Sequence, residues 1–306
     1  MEFLYLLAEI RNPVLDAIVS LITKLGEETV VLGVICILFW CANKNLAYKM
    51  GLVFFSSGLA TQTLKITFRI DRPWILDPEF EPVPGSKTTA TSYSFPSGHT
   101  QSSTSLFGTF AVHFKKWWVS IVCTILFLAV GFSRMYLGVH TPKDVITALL
   151  ISLAMAFVIE FFVMRLIPDT KKGNIAVSIG LALISVAVMA YSLILMGSGT
   201  ITAEYAADCS KAAAAGLGFA LGWFVERSYI KFNTKTDKLW KQIVKLVIGV
   251  GGALGIKSGI KALFTSLGFV VDTPAFIPID ITRYLLMVVW VLIVFPIIIK
   301  KFFEKK

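Results

Sequence analysis

The chain has 306 residues, 56% of them hydrophobic and 16% charged, with a mean hydropathy of +0.76. A soluble domain carries about 25% charged residues, so a soluble globular protein is excluded and an all-α, polytopic transmembrane helical bundle is expected. The net charge of +10 does not indicate nucleic acid, because the lysines and arginines collect in one set of loops between apolar runs, the pattern of cytoplasmic loops in membrane proteins.

Residues 1–27 form an amphipathic opening segment. Glu9, Arg11, Asp16, Lys24 and Glu27 interrupt its apolar runs, and Asn12-Pro13 breaks it into short interfacial helices. It lacks the basic leader, long apolar core and small-residue cleavage site of a signal peptide. Apolar segments follow at 28–42, 46–68, 98–114, 117–137, 143–166, 175–197, 212–230, 242–267 and 281–299. They make about nine spans on the scale of a ~30 Å hydrocarbon core. The first is short, so its helix begins within the amphipathic stretch. Three segments result: 1–27 interfacial, 28–166 a membrane core, and 167–306 additional transmembrane helices.

The loops sort by charge. One set carries Lys44 and Lys49; Lys115 and Lys116; Arg165, Lys171 and Lys172; Arg227, Lys231, Lys235, Lys238 and Lys241; and Lys300, Lys301, Lys305 and Lys306. The other set comprises 69–97, 138–142, 198–211 and 268–280, and holds Glu204, Asp208, Asp272 and Asp280. The positive-inside rule makes the basic set cytoplasmic. Nine spans then put the N-terminus outside and the C-terminus inside.

Three polar motifs fall on the outer side. KITFRIDRP (65–73) closes the second span, FPSGHT (95–100) opens the third, and SRMYLGVHTPKD (133–144) joins the fourth and fifth. Cations near lipid are costly and mark function or a salt bridge. Here they accompany two histidines and a glycine-bearing helix start, a combination suited to phosphate oxygens. Each element also has a plain structural role. Lys65 and Arg72 can snorkel to headgroups, Ser97 can be an ordinary N-cap, and Asp144 can close a capping box begun at Thr141. The paired outer histidines, His99 and His140, have no such anchoring explanation. His113, the third histidine, lies beside Lys115 and Lys116 and reads as interfacial.

The pattern Lys65-x6-Arg72-Pro73, Pro96-Ser97-Gly98-His99 and Ser133-Arg134-x5-His140-x3-Asp144 resembles the three-part signature of the type 2 phosphatidic acid phosphatase/vanadium haloperoxidase superfamily. The resemblance covers about residues 28–166. It implies hydrolysis of a phosphomonoester or diphosphate through a phosphohistidine, with no metal or other cofactor. In that scheme His140 attacks phosphorus and Asp144 orients it. Lys65, Arg72, Ser97, Gly98 and Arg134 hold the phosphate oxygens, and His99 protonates the leaving group. The chain departs from six-span relatives by lacking their first span and by adding C-terminal helices. The nine-span outline is similar to the glucose-6-phosphatase branch.

The leading expectation is an extracytoplasmic lipid phosphate or diphosphate phosphatase. Phe68, Ile70, Trp74, Phe95 and Tyr136 flank its cations at headgroup depth, and membrane lipids, not nucleic acid, are its partners. A sugar-phosphate phosphatase or a lipid phosphotransferase is the alternative among enzymes. From another class come a silent lipid-binding relative, against which the intact His99, Arg134, His140 and Asp144 argue, and a transporter, which the absence of a convincing inverted repeat weakens.

Elsewhere, Cys36, Cys41, Cys123 and Cys209 show neither metal spacing nor a disulfide framework. The Gly251-x3-Gly255-x3-Gly259 stripe predicts close helix packing. Lys257 and Lys261 predict a salt bridge to Glu204, Asp208 or Asp272, favoured over contact with substrate. Glu160 pairs with Arg165 or faces the bundle interior.

Overall fold

Fourteen α-helices follow one another through the described residues, 1–236 and 238–304, of the computed structural model, which contain no strand. Lys305 and Lys306, expected among the cytoplasmic cations, lie outside them. The helices are α1 (Glu2–Glu9), α2 (Pro13–Thr23), α3 (Glu28–Ile37), α4 (Lys44–Phe68), α5 (Pro73–Leu76), α6 (Gly98–Phe114) and α7 (Trp117–Tyr136). After them come α8 (Pro142–Val158), α9 (Met164–Leu166), α10 (Lys171–Gly197), α11 (Ala203–Val225), α12 (Leu239–Ser266), α13 (Ile277–Val289) and α14 (Phe295–Phe302). Two compact units result: Met1–Gly33 with Ala60–Glu160, and Val34–Leu59 with Phe161–Lys306.

In the first unit α6 packs against α7 and α8. It buries a run that no lipid-facing helix would carry: Thr100, Gln101, Ser102, Ser103, Thr104 and Ser105. Several hydroxyls bond back into helix carbonyls, Ser105 to Gln101 at 2.8 Å and Thr109 to Ser105 at 2.6 Å. Ser152 of α8 donates to the Gln101 carbonyl at 3.3 Å. Small residues permit this closeness, since a Cβ at Gly131 would stand 2.8 Å from Val145 Cγ1. The N-terminal helices are pinned to the same unit. Arg11 donates to the carbonyls of Tyr136 (3.1 Å) and Glu81 (2.7 Å), and the Tyr136 hydroxyl donates to Asp16 at 2.8 Å.

In the second unit α11 packs against α10 and α13, and α12 against α13. Close-packing glycines lie on α11 and at Gly249 and Gly252 of α12, where an added Cβ would meet Trp40 Cζ3 at 2.5 Å and Trp290 Cε2 at 2.4 Å. A Cβ at Gly216 would meet Ser185 Oγ at 2.5 Å, and one at Gly222 would meet Leu292 Cβ at 2.4 Å. The stripe predicted for that role takes no part, because added Cβ atoms at Gly251, Gly255 and Gly259 would meet nothing within 4 Å. Small size permits approach, but a neighbour must be present to use it.

Among the described residues, five helical segments are long and apolar enough to cross a membrane: Trp117–Tyr136, Pro142–Leu166, Lys171–Gly197, Leu239–Ser266 and Pro274–Phe302. Pro13–Gly26 and Glu28–Ala42, bent by 49°, make a sixth if taken as one span. The expected spans at 46–68, 98–114 and 212–230 are helical but fall outside this set. α6 turns hydroxyls inward rather than apolar side chains toward lipid, and its 17 residues measure only about 26 Å.

Three side-chain pairings differ from expectation. Lys211, not Lys257 or Lys261, gathers the acids, with Asp208 at 3.1 Å, Asp280 at 3.7 Å and Asp272 at 4.0 Å. Lys257 sits over the Tyr284 ring. Glu160 pairs with His113 at 3.7 Å, while Arg165 lies over the Phe161 ring. The four cysteines are free thiols.

Candidate active site

Four stretches of the first unit supply the polar motifs. Lys65 lies one turn before the end of α4, and Arg72 sits at the N-cap of α5. Ser97 caps α6, its Oγ accepting the Thr100 N–H at 3.4 Å and the Thr100 hydroxyl at 2.9 Å. Arg134 is on the last turn of α7, and the loop to α8 presents His140. Arg134, Asp144 and Ser97 are fully buried, and Lys65, Arg72 and His140 nearly so. Three buried cations against one buried carboxylate leave a site that calls for an anion.

His140 is the centre of the cluster. Arg72 Nη1 stands 2.9 Å from its Nε2 and 3.4 Å from its Nδ1, while Asp144 Oδ2 lies 3.5 Å from Nδ1. A guanidinium can only donate. The shorter contact therefore assigns the lone pair to Nε2 and the proton to Nδ1, facing the carboxylate. Burial holds the imidazole well below the usual histidine range, and the charges of Arg72, Arg134 and Lys65 push it further down. Its neutral form, the one a nucleophile requires, is thereby favoured.

Asp144 is held in turn. Its Oδ2 accepts the Thr141 N–H at 2.8 Å and the Ser94 hydroxyl at 2.6 Å, and Ser94 Oγ also lies 3.5 Å from His140 Nδ1. The same carboxylate thus starts α8 and faces Nδ1 of the histidine. The Asp144 carbonyl accepts the Ser97 N–H at 3.1 Å, tying the start of α6 to that of α8.

Neutral oxygens are among the anchors of the cations. Lys65 donates to the Tyr93 carbonyl at 2.5 Å, and Arg72 to those of Ser92 (2.8 Å) and Val139 (2.9 Å). Arg134 Nη1 donates to Thr23 Oγ1 at 3.0 Å, and both terminal nitrogens lie 3.5 Å from Thr89 Oγ1. Arg134 Nε, His99 Nε2 and Asp144 Oδ1 are buried without a hydrogen-bond partner. Such atoms are costly unless a ligand satisfies them. A Cβ at Gly98 would meet nothing within 4 Å, leaving space at the first turn of α6, where backbone N–H groups face an anion well. Gly26 permits a close approach, since its Cβ would come within 2.7 Å of the His99 carbonyl.

The structure thus brings Arg72, His140, Asp144 and Ser97 into one bonded chain. Lys65, Arg134 and His99 are close enough for their charges to act on His140. Ser94, Thr23 and Thr89 are additions. Ser94 precedes the recognised motif by two residues, whereas Thr23 lies 111 residues from Arg134 and carries no local signal. Two expected apolar flanks are turned inward: Tyr136 is buried in the core and Trp74 packs against it. Phe68, Ile75 and Leu76 are the exposed apolar flanks. Among the described residues, no group of three or more His, Cys, Asp or Glu side chains is gathered to hold a metal ion.

The model of the PAP2 superfamily matches residues 46–168, and that of the PAP2 superfamily phosphatase transmembrane extension matches 210–306. The chain is 29% identical over 168 residues to phosphatidylglycerophosphatase B of Bacillus subtilis, covering 50% of this chain and 77% of that protein. It is 29% identical over 174 residues to a probable sphingosine-1-phosphate phosphatase of Dictyostelium discoideum, spanning 41% of that relative. Among solved structures, the PAP2-type phosphatidylglycerolphosphate phosphatase of Bacillus subtilis is 26% identical, with a TM-score of 0.46 over 54% of this chain and 84% of that one. Aquifex aeolicus LpxE is 25% identical, with a TM-score of 0.46 over 53% of this chain and 94% of that one. With its three motifs inside the first matched segment and its C-terminal helices in the second, the chain belongs to the PAP2 superfamily, as an integral-membrane phosphate-ester hydrolase carrying the transmembrane extension.

Proposed function

We propose that the protein hydrolyses a lipid phosphate or diphosphate at an extracytoplasmic site through a phosphohistidine at His140. The observation that carries the reading is the chain Arg72–His140–Asp144 beside the unpartnered Arg134 Nε. An arriving phosphate accepts the Arg72 N–H that now rests on His140 Nε2, and this frees the lone pair. Lys65, Arg72, Arg134, the Ser97 hydroxyl and the Gly98 N–H then surround the phosphoryl oxygens, spreading the charge that grows in the transition state.

In the first step Nε2 forms a bond to phosphorus and the bond from phosphorus to the leaving oxygen breaks. Protonated His99 gives that oxygen its proton. The dianionic substrate supplies the negative charge beside which an imidazolium is stable among three cations. Asp144, fixed by Ser94 and Thr141, holds the Nδ1–H as positive charge develops on the ring. In the second step water attacks phosphorus, the nitrogen–phosphorus bond breaks, and neutral His99 takes the water's proton. Orthophosphate and the starting enzyme result.

Two features support a lipid substrate. Exposed Phe68, Ile75 and Leu76 flank the cations, which suits a phosphate whose chains remain in the bilayer. The two curated relatives are both named for lipid phosphates. The outer placement follows from the basic loops on the other side of the spans.

A phosphate-release panel on purified protein in detergent micelles tests this reading. It includes phosphatidylglycerophosphate, phosphatidate, sphingosine-1-phosphate, a prenyl diphosphate and glucose 6-phosphate. At least one lipid is expected to give the highest kcat/KM. A higher value for the hexose phosphate than for every lipid overturns the substrate class.

A further inference from the structure

The second unit holds a cavity of 390 Å³ whose walls include Lys44, Lys171, Arg227 and Lys231. It also contains two acids, and both are already neutralised. Lys44 Nζ lies 2.6 Å from Glu226 Oε1, and the Tyr48 hydroxyl donates to Oε2 at 2.5 Å. Arg227 grips Asp169 with both faces of its fork, Nη2 to Oδ2 at 2.6 Å and Nε to Oδ1 at 3.2 Å. That grip, with the Asn174 amide, holds the Asp169 carboxyl below its usual range despite partial burial. The charge of Lys231 also acts on Asp169, but with Lys171 it leaves the lining with more cations than acids.

Three further observations bear on an occupant. Lys171 is the first residue of α10, a 27-residue helix whose N-terminal N–H groups favour an anion. Lys231 stands in the left-handed region at φ 50°, where glycine would be free of strain, so a cationic side chain is kept there at a conformational cost. Leu166 and Tyr229, next in sequence to the cavity segments, are exposed, as befits neighbours of an acyl chain at the membrane interface. Lys171 also lies over the Tyr229 ring at 4.9 Å. An adjoining cavity of 460 Å³ shares Lys44 and Lys231.

We propose that this cavity, built on the basic loops, binds a phosphate-bearing anion between Lys171 and Lys231. Its source is the headgroup of an acidic phospholipid or a free phosphate compound, which present the same oxygens. The proposed topology assigns the site to the cytoplasmic face, but the charge arrangement does not depend on it.

Native mass spectrometry of the full-length protein in detergent counts adducts during titration with inorganic phosphate, dihexanoyl phosphatidylglycerol or dihexanoyl phosphatidylcholine. The Arg134 cluster is expected to take one anion in every protein, and the cavity to add a second in the wild type. Lys171→Gln/Lys231→Gln is expected to keep its phosphatase turnover and to bind the second adduct at least about tenfold more weakly. Lys171→Arg/Lys231→Arg is expected to keep it. A second adduct with phosphatidylglycerol alone identifies the lipid source, and one with phosphate alone the soluble source. One with both places recognition in the phosphate group itself. Two results overturn the proposal: no second adduct from either anionic probe, or a second adduct equally tight in the Gln double variant and the wild type.

Discussion

Ser94→Ala probes the part of the catalytic cluster that the recognised motifs do not include. The hydroxyl donates to Asp144 Oδ2 at 2.6 Å, and a hydrogen bond to a charged group contributes ~1.5–3 kcal/mol. The carboxylate is not left bare, because the Thr141 N–H at 2.8 Å is backbone and survives the change. The Ser94 N–H to the Ile70 carbonyl, 2.8 Å, survives as well, so the loop keeps its path. We therefore place the loss at the lower end of that range, with most of it appearing when His140 acquires positive charge and leans on Asp144. That amounts to a fall in kcat of about tenfold, or about 1.4 kcal/mol. Because Ser94 bonds Asp144 and not the phosphate-binding cations, KM should stay within about twofold. Phosphate release across a substrate titration in micelles measures both constants, and circular dichroism verifies the fold. An unchanged kcat would refute the positioning role. A KM rise at constant kcat would instead make Ser94 a substrate contact.

Other perturbations test separate links. Activity should survive a chelator, since Lys65, Arg72 and Arg134 supply the charge that magnesium supplies elsewhere, while vanadate should inhibit as a mimic of five-coordinate phosphorus; loss with EDTA that magnesium restores would count against the mechanism. In a background free of native cysteines, Thr88→Cys, at an exposed position, should react with an impermeant thiol reagent on intact cells, and Lys235→Cys should not. The reverse labelling would invert the topology. The lowered pKa of His140 has a definite sign for stability. Above the ordinary value of about 6.5 neither folded nor unfolded state binds the proton, and below it the unfolded state binds first. Stability should therefore fall as pH drops from 7 toward 5, by up to ~1.4 kcal/mol per pH unit from this residue, and less steeply in His140→Ala. Parallel thermal-unfolding profiles for the two proteins would show that His140 is not the buried neutral group inferred here.

The legible parts of the site were those written in local sequence. Lys65, Arg72, Ser97, His99, Arg134, His140 and Asp144 sit at helix ends, where spacing along one chain segment sets position. Asp144 was readable twice, as a helix-start residue and as the partner of a histidine one turn away. The Thr23 and Thr89 contacts to Arg134 were not readable, because they join residues 111 and 45 positions apart through tertiary packing alone. The misassigned glycine stripe has the same cause. Gly251, Gly255 and Gly259 have helical spacing, but the neighbours that use small residues stand against α11 and against Gly249 and Gly252 of α12. Lys211 took the acids expected for Lys257 because it shares a helix turn with Asp208 and faces Asp280. Counting spans by apolarity was limited by α6, whose Ser and Thr side chains are buried inside the bundle. The division into 1–27, 28–166 and 167–306 follows chain order, whereas the compact units interleave residues 34–59 with the C-terminal half.

The central claim is the covalent bond to His140. Substrate labelled with ³²P in the phosphoryl group should be mixed with enzyme, quenched in alkali within the first turnover, and digested for peptide mapping. The account predicts label on the peptide containing His140, stable to base and lost in acid as phosphoramidates are, and no label in a folded His140→Ala protein, which should also be inactive. Turnover by His140→Ala, or a wild-type enzyme that releases phosphate with no trapped intermediate while His99→Ala also traps none, would contradict it.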